Sequence, residues 1–105
     1  MLGDLEQIVL LAVLRSGTEA YGVSILREIE REAGRKLTLA TIYKTLGRLE
    51  AKGHVRSRLG EPTPQRGGRR KRFYTMTASG QRSLTSSITA IRRMSRGLEI
   101  GLDAP

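Results

Sequence analysis

Cysteine and tryptophan are absent from this 105-residue sequence, and aromatic residues make up only 4% of it. Without cysteine, the chain can form neither a disulfide bond nor a thiolate metal site. The length predicts one domain, whose stability must come from its own modest core or from a partner chain. The scarcity of aromatic side chains argues against recognition of single-stranded nucleic acid by base stacking.

Long hydrophobic runs are also absent. The longest, Ile8 to Leu14, is far too short to span a bilayer. Asp4 and Glu6 precede it where a signal peptide would carry basic residues, so the run does not resemble a signal peptide. We therefore expect a cytoplasmic protein with no membrane partner.

The residues needed for catalysis or for binding a cofactor are sparse. His54 is the only histidine, and without cysteine or a nearby group of carboxylates it cannot build a zinc site or a catalytic triad. The glycines match neither the P-loop nor the dinucleotide-binding pattern. We therefore expect no enzyme activity, no metal and no cofactor, and we interpret His54 as a structural residue where helix becomes strand.

Acidic residues are missing from one long segment. Between Pro62 and Leu98 there are nine basic residues and no acidic one, whereas the rest of the chain has ten of each sign. The whole net charge of +9 therefore comes from the C-terminal third. Such one-sided clustering indicates a polyanionic partner, because each Lys or Arg placed on a phosphate releases condensed counterions.

Three helices are predicted in the first half of the chain from the spacing of apolar residues and from capping residues. They run from Leu2 to Arg15, from Tyr21 to about Ala33, and from Thr38 to Lys52. The first is apolar nearly all round, which is typical of a helix buried on more than one side. We expect one of its faces on the chain's own core and another on a second subunit.

A β-hairpin and a fourth helix are predicted to follow. Two β-favourable runs, 54–59 and 72–76, flank a basic loop rich in Gly and Pro. Thr77 is a suitable N-cap for a helix from Ala78 to about Gly97. This order predicts a mainly α fold with a small β-hairpin, a winged helix-turn-helix with N- and C-terminal dimerisation helices.

Two functional parts are expected within that fold. Residues 1–76 would form the winged helix-turn-helix DNA-binding domain, and residues 77–105 a C-terminal helix for dimerisation. The fourth helix has one apolar stripe, which needs a surface to bury it. The predicted dimer interface comprises Leu5, Ile8, Leu84, Ile88, Ile91 and Leu98, with Met94 on the same stripe.

The third helix has two chemically different faces at about 100° per residue. Its predicted core face contains Leu39, Ile42, Leu46 and Leu49. The outer face has cations, hydroxyls and small residues, and it would enter the major groove of double-stranded DNA. The predicted DNA contacts on this helix are Thr38, Thr41, Tyr43, Lys44 and Arg48. Lys44 and Arg48 are candidates for guanine edges or phosphates, although an ordinary solvated helix could show the same pattern.

The hairpin loop is the second basic feature. From Arg66 to Arg72 there are five cations in seven residues, with two glycines. This composition suits a wing tip that holds a phosphate or enters a minor groove, and Arg69, Arg70 and Lys71 are the predicted contacts. A solvated loop, or an arginine-rich RNA-binding segment, would have a similar composition.

Several short motifs, taken in order, resemble the PadR family of bacterial regulators from Leu2 to about Leu84. They are Leu2-Gly3-Asp4-Leu5-Glu6, Tyr21-Gly22, Thr41-Ile42-Tyr43, Leu46-Gly47-Arg48-Leu49-Glu50, Gly53, Arg72-Phe73-Tyr74, and Thr77 with Gly80. The resemblance implies a prokaryotic homodimer, usually a repressor, that binds a roughly palindromic operator. It also implies that the third helix recognises DNA, that Arg69 to Arg72 belong to the wing, and that the first and last helices form the dimer.

The resemblance further implies a small-molecule effector, which many members have, but the sequence identifies none. Lys44 stands where many members carry proline, which changes a contact and leaves the fold in place. Without tryptophan, members that hold flat ligands between aromatic rings are poor guides. Two other functions remain open at this point: a less specific RNA or nucleoid binder, and a protein-interaction module that has kept the fold.

Overall fold

Within residues 2–62 and 70–100, the part of the chain that this computed structural model describes, there are four α-helices and one antiparallel hairpin. In chain order they are α1 (Asp4–Arg15), α2 (Gly22–Ala33), α3 (Leu39–Ala51), β1 (Val55–Pro62), β2 (Arg70–Met76) and α4 (Ala78–Ser95). A short 3-10 turn, Gly17–Glu19, separates α1 from α2. This order confirms the predicted mainly α winged-helix fold.

Hydroxyl side chains begin two of the helices, as predicted. The Oγ1 atom of Thr38 accepts a hydrogen bond from the backbone N–H of Thr41 at 3.1 Å, and Thr77 does the same for Gly80 at 3.1 Å. Each bond satisfies one of the N–H groups that a helix leaves unpaired in its first turn. The C-terminal end of α2 is followed by Gly34, which adopts the left-handed conformation, with φ of 65°, that commonly ends a helix.

The first helix begins two residues later than predicted. Gly3 precedes it in an extended conformation, and the backbone N–H of Gly3 donates to the Oε1 atom of Glu6 at 2.9 Å. Leu2 is nevertheless buried, just ahead of the first turn. An apolar residue can therefore belong to the core without belonging to the helix that follows it.

One core lies where α1, α2 and α3 meet the base of the hairpin. Its largest fully buried side chains are Val9 and Leu10 of α1, Ile25 of α2, Ile42, Leu46 and Leu49 of α3, and Val55 of β1. Burying a side chain of this size contributes about 1.5–3 kcal/mol relative to exposing it. The three predicted core positions of α3 from Ile42 onward are therefore confirmed.

The prediction that Leu39 belongs to this core was wrong. Leu39 keeps 38% of its surface exposed, because it is the first residue of α3 and the connector before it, from Gly34 to Lys36, is itself exposed. The helical wheel places Leu39 near the core side. A helical wheel does not show whether a neighbouring element is close enough to cover the first turn of α3.

The hairpin is longer than predicted, at both ends of its loop. Pairing runs from Val55 opposite Met76 to Leu59 opposite Arg72, and after an irregularity Pro62 lies opposite Arg70. Residues 63–69, which include the predicted contact Arg69, lie outside the described residues. Since directly paired residues share a face of the sheet, Arg58 lies beside Phe73 and Ser57 beside Tyr74.

The last helix starts against the turn between α3 and β1. The backbone N–H of Thr77 donates to the carbonyl of His54 at 3.0 Å, and the Thr77 hydroxyl donates to the carbonyl of Gly53 at 2.6 Å. The Nδ1 atom of His54 lies 3.2 Å from the hydroxyl of Ser79. These contacts are those of a structural residue between helix and strand, as interpreted from the sequence.

Candidate nucleic-acid interface

The outer face of α3 is the first part of the candidate interface. Tyr43, with 46% of its surface exposed, follows the helix start, and Lys44, Gly47 and Arg48 are exposed beyond it. The only carboxylate of α3, Glu50, is also exposed, and it accepts a hydrogen bond from the hydroxyl of Ser57 on β1. The face can donate hydrogen bonds to base edges and attract the backbone.

The two threonines at the start of α3 are already used locally. Besides capping the helix, the hydroxyl of Thr38 donates to the hydroxyl of Thr41 at 3.0 Å. Thr38 is exposed and Thr41 half-buried. Both threonines therefore hold the first turn, where a recognition helix makes its base contacts, in one geometry.

An ion pair connects the far end of α3 to α1. The Lys52 Nζ atom, just after α3, donates to both carboxylate oxygens of Glu6, at 2.7 and 2.9 Å. Glu6 is almost fully buried. Burial opposes ionisation of its carboxyl, but the hydrogen bonds from Lys52 and Gly3 and the nearby charge of Arg48 outweigh that effect, and the pKa of Glu6 lies below its ordinary value. This ion pair attaches the end of α3 to α1.

A second polar connection joins α3 to the wing. The guanidinium of Arg72 on β2 donates to the hydroxyl of Ser57 on β1 at 3.0 Å, and Ser57 donates to the carboxylate of Glu50 at 2.8 Å. The one carboxylate of α3 is thereby held toward the hairpin. The hairpin and α3 are therefore linked through side chains as well as through the core.

The wing presents cations on both strands. Arg70 and Lys71, predicted from the basic loop, are exposed on β2, and Arg56 and Arg58 are exposed on β1. The two arginines of β1 were not among the predicted contacts. The signal was present in their alternation about Ser57, which places both on one face of a strand. The guanidinium carbon of Arg58 lies 4.8 Å from the centroid of the Phe73 ring.

The predicted dimer residues fall into three groups. Leu5, Ile8 and Ile88 are partly buried against the core, and Leu84 is 4% exposed, so Leu84 belongs to the chain's own core. The C-terminal residues differ, because Ile91 and Met94 near the end of α4, and Leu98 beyond it, are 58%, 79% and 61% exposed. The helix ends at Ser95, before the predicted end at about Gly97, and Arg96 is extended, so the prediction that Leu98 continues the helical stripe was wrong. Leu11 and Leu14 of α1, absent from the predicted set, are also exposed.

Two grooves adjoin those exposed leucines. One, of about 380 Å³, lies between α1 and α4 and is lined by Leu14 and Ile88 among others. The other, of about 430 Å³, lies between α1 and α2. Its lining is mainly apolar, and Arg15, Glu28 and Glu32 stand at its rim. The Arg15 guanidinium donates to Glu28 at 2.7 Å and keeps the pKa of that carboxyl below its usual value.

Neither a metal site nor a membrane span emerges from the described part of the chain. Across residues 2–62 and 70–100 no group of three or more His, Asp or Glu side chains could hold a metal ion. Over the same residues no helix is both long and apolar enough to cross a bilayer.

Comparison with known proteins identifies the family. The family model described as the transcriptional regulator PadR-like family matches residues 10–86, well over half of the chain. The chain belongs to the PadR-like family. Members of this family are DNA-binding transcription regulators without enzymatic activity. No curated protein sequence matches the chain.

Several solved structures share the fold. A PadR family transcription regulator from Clostridium difficile is 21% identical with a TM-score of 0.73, over 90% of this chain and 93% of that one. A transcriptional regulator from Clostridium thermocellum is 19% identical with a TM-score of 0.70, over 94% of this chain and 93% of the other. PadR of Bacillus subtilis, solved in complex with operator DNA, is 24% identical with a TM-score of 0.66 and covers 97% of this chain, which spans 53% of it.

Proposed function

We propose that this PadR-like protein is a repressor that binds a palindromic DNA operator as a homodimer and recognises the sequence through α3. The function requires it to act in the cytoplasm of a prokaryote, where the genomic DNA lies. The observation that carries the proposal is the outer face of α3, which exposes Tyr43, Lys44 and Arg48. The operator complex of the Bacillus subtilis neighbour supports it by analogy.

Base recognition is assigned to the cations of α3. Arg48 can donate two parallel hydrogen bonds to the O6 and N7 atoms of a guanine. A solvated phosphate contact does not require this paired geometry. Lys44 lies four residues earlier, one turn toward the start of the helix, where a recognition helix approaches the bases. Thr38 and Thr41 hold that turn in shape and offer their remaining hydroxyl lone pairs.

Phosphate contacts are assigned to the wing, whose described cations Arg70 and Lys71 extend beyond the base of the hairpin. Such contacts fix the protein's position on the duplex and give binding its salt dependence, with a slope of about 0.9 per neutralised phosphate. Arg69 would belong to the same set, although it lies outside the described residues.

Dimerisation is assigned to the exposed apolar end of α4 together with the exposed leucines of α1. Ile91 and Met94 at the end of α4, together with Leu98 three residues beyond it, are large exposed apolar side chains that would be costly to leave in water. In a two-fold dimer the two α3 helices could meet major-groove half-sites about one helical turn, about 34 Å, apart. Leu84 would support this surface from within the core.

The test is fluorescence anisotropy of the protein on its own upstream DNA and on a shuffled duplex of equal length, at low and near-physiological salt. Sequence-specific regulation predicts roughly a thousandfold preference for the upstream DNA that survives the added salt. Equal binding to both duplexes, lost together as salt rises, would instead make the protein a less specific nucleic-acid or nucleoid binder.

A further inference from the structure

The residue pair Tyr21-Gly22, at the start of α2, contacts the wing on one side and the recognition helix on the other. The ring of Tyr21 meets the ring of Phe73 on β2 edge-on, with centroids 5.8 Å apart and planes at 74°. The ammonium of Lys71, two residues earlier on β2, lies 4.3 Å from the centroid of the Tyr21 ring. Tyr21 therefore contacts a wing cation directly.

Gly22 provides the contact with α3. A Cβ atom built on Gly22 would lie 2.3 Å from the hydroxyl oxygen of Tyr43, so the Tyr43 side chain rests on the backbone of Gly22. Only a residue without a side chain permits so close an approach. Tyr43 is one of the exposed side chains of the recognition helix. The segment Tyr21-Gly22 therefore contacts both Tyr43 and Lys71.

The main chain keeps this segment beside the wing. The backbone N–H of Tyr74 donates to the carbonyl of Ala20 at 2.8 Å, which attaches β2 to the residue just before Tyr21. Tyr21 therefore stays next to β2 even when its own side chain is changed. A substitution at Tyr21 can for this reason alter the position of Lys71 without detaching the wing.

We propose that Tyr21 is a positioning residue for DNA binding, which holds the Lys71 ammonium over its ring and thereby presents it to a backbone phosphate beside the half-site. A free lysine side chain must lose rotamer freedom when it takes up a phosphate. Contact with the ring restricts those rotamers before DNA arrives. The ring occupies one side of the ammonium, whose three N–H donors leave the other side open for phosphate oxygens.

The proposal rests on the DNA-binding function proposed above, and it makes a specific quantitative claim. The cost of losing Lys71 should depend on the presence of an aromatic ring at position 21. Because the ring contact is kept in the complex, it favours binding only by populating the competent rotamer beforehand, by at most about two- to fivefold for an exposed cation–π contact, and a dimer has two wings, so the combined effect on Kd is roughly tenfold.

The experiment is a double-mutant cycle on DNA affinity, with full-length protein and the upstream duplex at fixed salt. Lys71→Met should weaken binding roughly tenfold more in the wild type than in Tyr21→Leu, whereas the Tyr21→Phe background should behave as the wild type. Arg70→Met is the matched control. Arg70 precedes Lys71 on β2, and among the residues described here it makes no contact over an aromatic ring, so its cost should be equal in both backgrounds.

A further variant separates positioning from folding. Incorporating pentafluorophenylalanine at position 21 keeps an aromatic ring of similar size but reverses the charge distribution on its face, so the attraction for the ammonium is lost. It should weaken DNA binding as much as Tyr21→Leu does, with little change in the thermal unfolding midpoint. A DNA affinity equal to that of the wild type would overturn the proposal.

The proposal is also overturned if Lys71→Met costs the same in the wild type and in Tyr21→Leu, or costs nothing in the wild type. These results are distinguishable from a failure of the proposed function. If the wild-type protein binds upstream and shuffled duplexes alike, sequence-specific regulation fails. The coupling between Tyr21 and Lys71 concerns a phosphate, and it can be measured on either duplex.

Discussion

Gly80 and Gly47 are two helical glycines for which the structure predicts opposite effects of the same substitution. Gly80 is buried in the first turn of α4, and a Cβ atom there would lie 2.2 Å from the carbonyl oxygen of His54 and 2.9 Å from the Cγ atom of Met76. Gly47 is exposed within α3, and a Cβ atom there would meet nothing within 4 Å. Gly80→Ala and Gly47→Ala therefore form a matched pair.

The magnitudes follow from these contacts. Since the obstacle at Gly80 is backbone, no side-chain rotation relieves it, and α4 must shift by about 1 Å from a carbonyl that also accepts the Thr77 N–H bond. Overpacking costs about 1–3 kcal/mol and a weakened hydrogen bond about 1 kcal/mol, offset by at most about 1 kcal/mol of helix propensity. Gly80→Ala should thus lower the free energy of unfolding by about 2 kcal/mol, while Gly47→Ala should raise it by about 0.5–1 kcal/mol.

The assay is thermal unfolding followed by circular dichroism, with all proteins at one concentration because an oligomer's midpoint depends on it. For a domain of this size, Gly80→Ala should lower Tm by at least about 8 °C, and Gly47→Ala should raise it by a few degrees. A Gly80→Ala protein that melts at or above the wild-type Tm would refute the docking of α4 against the turn at His54.

Two further perturbations test the ion pair and the dimer surface. Glu6→Gln should lower the free energy of unfolding near neutral pH. Because folding lowers the pKa of Glu6, the stabilising contribution of its charge is present above the ordinary value of 4.5 and is lost as pH falls below it. The wild type and the variant should therefore converge in urea titrations at acid pH, and a stability difference independent of pH would contradict the ion pair. Ile91→Glu should make the protein sediment as a monomer at micromolar concentration. The control Ser86→Glu adds the same charge on another face of α4 and should leave the dimer intact. A stable Ile91→Glu dimer would show that the end of α4 is not part of the interface.

Much of the fold could be predicted because its signals are local. Helical spacing and the capping threonines Thr38 and Thr77 depend on residues within a few positions of each other. The failure at Leu39 has a different origin, since burial at a helix end depends on which other element covers it. Leu84 shows the same limit: an apolar stripe indicates a surface to be covered, but not whether the chain or a partner covers it.

The candidate site was predictable only in part, for the same reason. The cations of α3 and of the basic loop could be found from composition and periodicity. The contacts that orient them join residues that are distant in the sequence: Glu6 pairs with Lys52 across 46 positions, and Tyr21 contacts Lys71 across 50. Such pairs depend on strand register and helix packing, which no local pattern encodes.

Recognition of operator bases through Arg48 is the central claim, and selection of duplexes from a random pool tests it most directly. The wild type, Arg48→Ala and Arg48→Lys would be compared base pair by base pair, since lysine keeps the charge but loses the paired hydrogen bonds. The account predicts that both variants lose their preference at one position of each half-site, by about 1–3 kcal/mol, and keep it elsewhere. A loss that is uniform across all sequences would contradict it and reduce Arg48 to a phosphate contact.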